Sequence, residues 1–181
     1  MDLLLSKDSV RNCTMSLPNG QPIYEVSTPS RYFHTEQTTI KRLKGQESRD
    51  MALIELHGFH DDVCQVWGKD MVPKSDGLFK SGKTFTASDG KRYTWKIKLS
   101  KTILLDQFEN TIAVFENSHT GFFSGNPRQA QLSISEGGLS IADDIVATFV
   151  LVDQRNRQNQ RTAAASSAAA SSNAAVAAAV S

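Results

Sequence analysis

Cysteine is scarce: Cys13 and Cys64 are the only two in 181 residues, too few for a disulfide framework or a paired-thiol zinc site. No apolar run reaches the roughly 18 to 20 residues that cross a bilayer, so no transmembrane segment is expected. Neither sign of charge is in excess. Lys and Arg number 20 against 19 Asp and Glu, a formal net charge of +1, so nucleic acid is not an expected partner and any anion binding must come from a local patch. Catalytic signatures are missing as well: there is no GxSxG elbow, no P-loop, no GxGxxG after a strand and no HExxH. The chain is therefore expected not to be an enzyme and to need no cofactor. The opening Met1-Asp2-Leu3-Leu4-Leu5-Ser6-Lys7-Asp8 has too short an apolar run for a signal peptide and no basic region before it, which predicts a cytoplasmic protein with reduced thiols.

What the sequence does have is one dense apolar stretch near its end, from Ser140-Ile141-Ala142-Asp143-Asp144 through Ile145, Val146, Ala147, Thr148, Phe149, Val150, Leu151 and Val152. After its first turn only Thr148 is polar, so a helix here has no face for solvent and must be covered all round. Ser140 is placed to cap it, Asp143 and Asp144 put negative charge in the first turn, and Arg155, Arg157 and Arg161 follow, all opposing the macrodipole. A buried strand would use the same β-branched residues. Length and the caps favour a helix over about 140–153. Asp143 and Asp144 are adjacent and point about 100° apart on a helix, which suits helix-start charge better than paired acid–base chemistry.

Almost everything before this stretch reads as short strands. Residues 3–5 make a first edge strand, and Asn12 to Leu17 and Ile23 to Val26 form a hairpin across Pro18-Asn19-Gly20, because Asn and Gly accept the positive φ of such turns. Residues 38–44 and 52–56 are strands separated by a polar loop at 45–50, and 63–67 is another. Residues 68–82, with Pro73, Asp76 and Gly77, read as a long loop. Lys83 to Ala87 and Arg92 to Leu99 pair across Asp89-Gly90. In the second of these Tyr93, Trp95, Ile97 and Leu99 share the inward face, and Arg92, Thr94, Lys96 and Lys98 the outward one. Residues 102–105 and 111–115 form a further hairpin, and 129–134 is the last strand before the helix. About ten short strands without alternating helices predict an all-β sandwich or barrel, and the buried helix selects a closed antiparallel barrel of residues 1–160. Residues 161–181 are almost all Ala and Ser with no apolar stripe and are expected to be a disordered tail.

Three segments in this order, Leu17-Pro18-Asn19-Gly20-Gln21-Pro22-Ile23-Tyr24-Glu25-Val26, Lys83-Thr84-Phe85 with Asp89-Gly90-Lys91-Arg92-Tyr93-Thr94-Trp95-Lys96, and Asp144-Ile145-Val146-Ala147-Thr148-Phe149-Val150, resemble an uncharacterised family of small fungal proteins. Through it the chain is similar to the tubby C-terminal, LURP-one-related and phospholipid scramblase group. That resemblance implies a β-barrel of about a dozen strands around a hydrophobic C-terminal helix. It also implies a membrane-peripheral binding role, with anionic lipid such as phosphoinositide as partner. No tubby head-group motif maps onto individual residues here, and the scramblases' Cys cluster and membrane segment are missing.

The candidate anion site is the cationic outer face of Arg92, Lys96 and Lys98, extended by Lys91 and Lys101. Like charges two apart on one strand lie close enough to meet phosphates together, although Lys on an outer face also serves to discourage edge pairing. Lys41, Arg42 and Lys44 add to it only if they lie alongside. His57, His60 and Cys64 with Asp61 and Asp62 suggest metal ligands by type, but the fourth ligand and any established spacing are lacking, so they read as loop residues with Cys64 buried. The alternative to lipid binding is a cytosolic scaffold that uses loop 68–82 and Phe122-Phe123 to contact another protein. An enclosed pocket for a small molecule would require the helix not to fill the barrel.

Overall fold

The computed structural model describes residues 1–29, 36–58, 60–75, 82–98, 101–118 and 128–179, with side chains through residue 167. Strands β1 (Asp2–Leu5), β2 (Cys13–Ser16), β3 (Pro22–Ser27), β4 (Gln37–Lys44), β5 (Glu47–Glu55), β6 (Val63–Val66) and β7 (Lys69–Asp70) make one run of antiparallel neighbours. The other run is β8 (Lys74–Ser75), β9 (Gly82–Thr86), β10 (Arg92–Ile97), β11 (Lys101–Leu105), β12 (Thr111–Glu116) and β13 (Gln131–Ile134). The two runs join where β1 pairs with β13, giving a single 13-stranded sheet ordered β7-β6-β5-β4-β3-β2-β1-β13-β12-β11-β10-β9-β8. A 3-10 turn (Glu136–Ile141) then leads into α1 (Ala142–Ala179), the one α-helix among the described residues.

The turn chemistry works as its residues dictate. Gly20 and Gly90 take positive φ, 87° and 80°, in the two hairpin turns, the conformation that glycine reaches without a steric penalty. Tyr93 and Trp95 of β10 are buried while Ile97 is 41% exposed, so the inward face is kept for two positions and abandoned at the third. Leu99 lies outside the described residues, as do Phe122 and Phe123 and residues 76–81 of the expected long loop.

The helix is enclosed. Residues 145–152 are each no more than 3% exposed, and eight consecutive residues span more than two turns, so every side of α1 is covered over that length. The cover comes from well-separated strands. Phe149 packs on Trp95 of β10 and Phe115 of β12, with ring centroids 5.9 and 4.5 Å away, and Gln154 Nε2 donates to Thr38 of β4 at 3.2 Å. Thr148, the one polar residue of the run, is satisfied twice: its hydroxyl donates to the Asp144 carbonyl at 2.7 Å and accepts from Trp95 Nε1 at 3.0 Å. No described side-chain nitrogen or oxygen is buried without a partner.

Several sequence expectations need correction. The hydrogen-bond ladder does not close into a barrel: β7 and β8 are the two sheet edges. Each is two residues long, and the connection between them contains Pro73, which has no N–H to offer a ladder. The first strand is no edge, since β1 sits between β2 and β13 with Leu3 and Leu5 fully buried. The polar segment 45–50 is mostly strand, because Gly45 at φ 61° turns the chain tightly enough for β5 to start at Glu47. Ser140 does not cap α1 but lies within the 3-10 turn, where the Ala142 N–H bonds to the Leu139 carbonyl.

The helix also runs far past 153. Residues 161–179 continue it instead of forming a disordered tail. Ala has the highest helix propensity, and a segment grown from an already ordered helix carries no nucleation cost. The hydroxyls in this part bond back to their own helix, Thr162 to the Gln158 carbonyl and Ser166 to that of Thr162.

Candidate functional site

At the end of the sheet where α1 begins, one carboxylate gathers three side chains, two from strands β3 and β4 and one from the loop after β6. Asp143 Oδ1 accepts from the Tyr24 hydroxyl at 2.7 Å and from Arg42 Nη1 at 2.5 Å, while Oδ2 accepts from Trp67 Nε1 at 2.9 Å. The Arg42 guanidinium also stacks 4.6 Å from the centre of the Tyr24 ring, a cation–π contact. Burial first, and then the charge of Asp143, push the Tyr24 phenol above its ordinary range, so the hydroxyl remains a donor. Asp144 reaches the opposite wall and accepts the Ser88 N–H, in the turn between β9 and β10, at 2.8 Å. The two adjacent acids thus tie together the two runs of strands whose edges lack a ladder. The 100° between them, an argument against acid–base chemistry, is what lets one helix turn reach both walls.

Trp67 and Gly68 form the two-residue loop between β6 and β7, where Val66 pairs with Lys69. Their φ angles are 49° and 78°, the pattern of a type I′ turn, which favours Asn-Gly. A bulky residue at positive φ costs on the order of 1–3 kcal/mol, and such outliers concentrate at functional positions. Here the outlier is also half exposed, at 50%. Trp67, Lys69, Arg42, Leu139, Asp143 and Asp144 line a cleft of about 350 Å³. On the other side of the indole, Arg42, Lys44, Glu47 and Arg49 line a second hollow of about 230 Å³. Leu139 is 47% exposed. The end of the fold thus presents two exposed apolar side chains flanked by four cations. Arg42 is held by Asp143 and Arg49 loosely by Glu47 at 3.5 Å; Lys44 and Lys69 make no ion pair with a described residue.

The basic row expected on β10 is divided and mostly paired. Lys91 lies 3.7 Å from Asp89, Lys96 3.2 Å from Glu109 and Lys101 2.5 Å from Glu116. Arg92 begins β10 at the end near Ser88. Lys98 and Lys101 lie at the other end, beside Asp153 and Arg157 of α1. Lys41, Arg42 and Lys44 on β4 are not alongside, because six strands separate β4 from β10 in the sheet. Sequence reasoning missed Trp67, Leu139, Arg49 and Lys69. Its one available signal was a bulky residue directly before a Gly after a strand.

The His57–Cys64 segment is a structural clasp. His57 Nε2 faces Glu55 at 3.3 Å and its Nδ1 lies 2.7 Å from the Asp61 carbonyl oxygen. Arg155 of α1 pairs with Asp62 and donates to the His57 carbonyl at 2.9 Å. No group of His, Cys, Asp or Glu able to hold a metal ion occurs among the described residues. Burial, and then Asp70, push the Cys64 thiol up to about 12; burial, and then Asp153, do the same to Cys13. Both thiols stay protonated and unreactive at neutral pH.

Burial along α1 fades at Arg155, Asn156 and Arg157, and residues 158–167 are exposed. A family boundary falls at the same place. No curated protein and no solved structure matches the chain. Residues 8–158 match the family of unknown function DUF6593, and the chain belongs to that family.

Proposed function

We propose that this DUF6593 member is a non-enzymatic module, peripheral to membranes on their cytoplasmic side, whose Trp67 end docks on anionic lipid, phosphoinositide included. The observation that carries the reading is the pair of exposed apolar residues, Trp67 and Leu139, ringed by Arg42, Lys44, Arg49 and Lys69. Trp at headgroup depth with cations around it is the pattern of interfacial binding. Each surface cation contributes about 1 kcal/mol toward an anionic leaflet. Two to four of them give on the order of 2–4 kcal/mol, about millimolar affinity at best, so insertion of the indole has to add to them. No described helix is long and apolar enough to cross a membrane.

The same reading takes the fold as a tubby-like barrel whose seam runs between β7 and β8. Its support is that only Met71, Val72 and Pro73 separate the two edge strands and that α1 is covered on all sides. A protein-interaction scaffold, the alternative, has Phe108 in its favour, 75% exposed in the turn between β11 and β12.

Tryptophan fluorescence tests the docking directly. Trp95 is fully buried, so a blue shift on adding vesicles reports Trp67. The expected result is a salt-sensitive shift with phosphatidylcholine vesicles that contain a phosphoinositide, and none with phosphatidylcholine alone. Trp67→Asn restores the preferred Asn-Gly turn, so it should fold at least as stably and yet no longer sediment with those vesicles. Undiminished sedimentation of that variant would overturn the proposal, and no binding by the parent chain would favour the scaffold.

A further inference from the structure

At the opposite end of the enclosed part of α1, where the helix leaves the sheet, lies a larger cleft of about 650 Å³, lined among others by Lys98, Lys101, Asn117, Asp153, Asn156 and Arg157. We infer that this cleft binds a soluble, polar small molecule carrying a phosphate group. The inference is independent of membrane docking at Trp67.

Charge is the first argument. Glu116 is shared by Lys101 at 2.5 Å and Arg128 at 2.6 Å, and Asp153 is held by Arg157. Lys98 makes no ion pair with a described residue. Among the residues that line the cleft, Lys98, Lys101 and Arg157 therefore stand against the single carboxylate of Asp153, and the excess is positive in a concave site, where low-dielectric walls focus the field.

Geometry is the second. Asp153 is 6% exposed and its Oδ2 accepts Arg157 Nε at 2.6 Å, one helical turn along. That bond fixes the guanidinium plane and leaves both terminal nitrogens without a partner among the described residues. A planar fork anchored through Nε is the arrangement that meets two phosphate oxygens at once. Asn117 and Asn156 supply amide donors and acceptors beside it, suited to hydroxyls on the rest of the molecule.

Size and access decide between sources of the phosphate. The volume is within the range of small-molecule sites and exceeds what inorganic phosphate would fill. A membrane plane cannot lie against this end, because α1 continues outward through Ala179, about 33 Å beyond residue 157 at 1.5 Å per residue. A molecule free in solution can enter where a lipid surface cannot.

Titration of the full-length, 15N-labelled chain with glucose 6-phosphate, with glucose and with phosphoinositide vesicles tests the assignment. Glucose 6-phosphate is expected to move the side-chain amide signals of Asn117 and Asn156 saturably, while glucose leaves them in place. The double substitution Lys98→Ala, Lys101→Ala should weaken that binding about tenfold or more and leave the Trp67 response to vesicles intact. Arg157→Lys, which keeps the charge and loses the fork, is the second variant should the double substitution fail to fold, and it too should weaken binding. Equal response to glucose, no saturable shift, or unchanged affinity in a folded variant would each overturn the inference. So would loss of vesicle binding in the double variant, which would make the cleft a lipid site.

Discussion

The two halves of α1 are one continuous helix held by opposite means. From Ile145 to Val152 the segment is rich in β-branched residues of mediocre helix propensity, and tertiary cover holds it: aromatic rings, a bonded Thr148 and the Asp143 and Asp144 ties. Residues 158–167 are exposed, and this Ala-containing stretch is held by propensity and hydroxyl back-bonds. Where a helix is enclosed, sequence can spend its residues on packing; where it is bare, only intrinsic preference and an ordered start remain. Substitutions that are harmless in one half should therefore be ruinous in the other.

The largest expected effect comes from Val150→Asp. It puts an ionisable carboxyl at a fully buried position, a cost of several kcal/mol against a total stability of about 5–15 kcal/mol. Loss of soluble protein or of the cooperative thermal transition is expected. The matched change Ala165→Asp, on an exposed turn, should leave the transition where it was. A Val150→Asp chain that melts like the parent would show that water reaches the helix through the β7/β8 seam.

Gly138→Ala comes next. The two glycines before α1 look in the sequence like one flexible break, but they differ. A Cβ on Gly138 would sit 2.8 Å from both Ile112 Cγ2 and Ile134 Cγ2, whereas on Gly137 its nearest neighbour is 3.8 Å away. Gly138 is where the entry to α1 presses against β12 and β13. Overpacking of this kind costs about 1–3 kcal/mol, a melting temperature lower by roughly 2–12 °C for a domain of this size. Gly137→Ala should change it by little. Equal effects from both would mean that backbone freedom, not close approach, is what the pair supplies.

The glycines illustrate what was legible in advance. Local signals were sound where the cause is local: Asn19-Gly20 and Asp89-Gly90 make their turns, and the alternation of Tyr93 and Trp95 gives the inward face of β10. The position of β1 in mid-sheet was not legible, because its pairing with β13 joins the ends of the strand sequence and no local residue encodes it. Asp143 and Asp144 were legible as acids at a helix start, but their partners Tyr24, Arg42, Trp67 and Ser88 are distant in the chain. The basic row on β10 failed for a related reason. Strand period gives the face of Lys96 and Lys101, and only cross-strand register shows Glu109 and Glu116 beside them.

Removal of residues 161–181 should have the smallest effect on stability, and it separates the two halves most cleanly. Among the described side chains the last partly covered are Arg155, Asn156 and Arg157, and the ion-pair partners of the two arginines, Asp62 and Asp153, are retained. Nothing that packs on the sheet is removed among the described side chains, so the melting temperature should stay within about 1 °C, while far-UV circular dichroism at 222 nm loses the contribution of the helical residues 161–179. The two readouts answer different questions. A fall in melting temperature would mean that the outer half does hold the sheet together; an unchanged helical signal would mean that propensity alone does not keep that half helical in water. Only unchanged melting together with a lost helical signal fits a helix whose inner turns are fixed by their surroundings and whose outer turns are fixed by alanine.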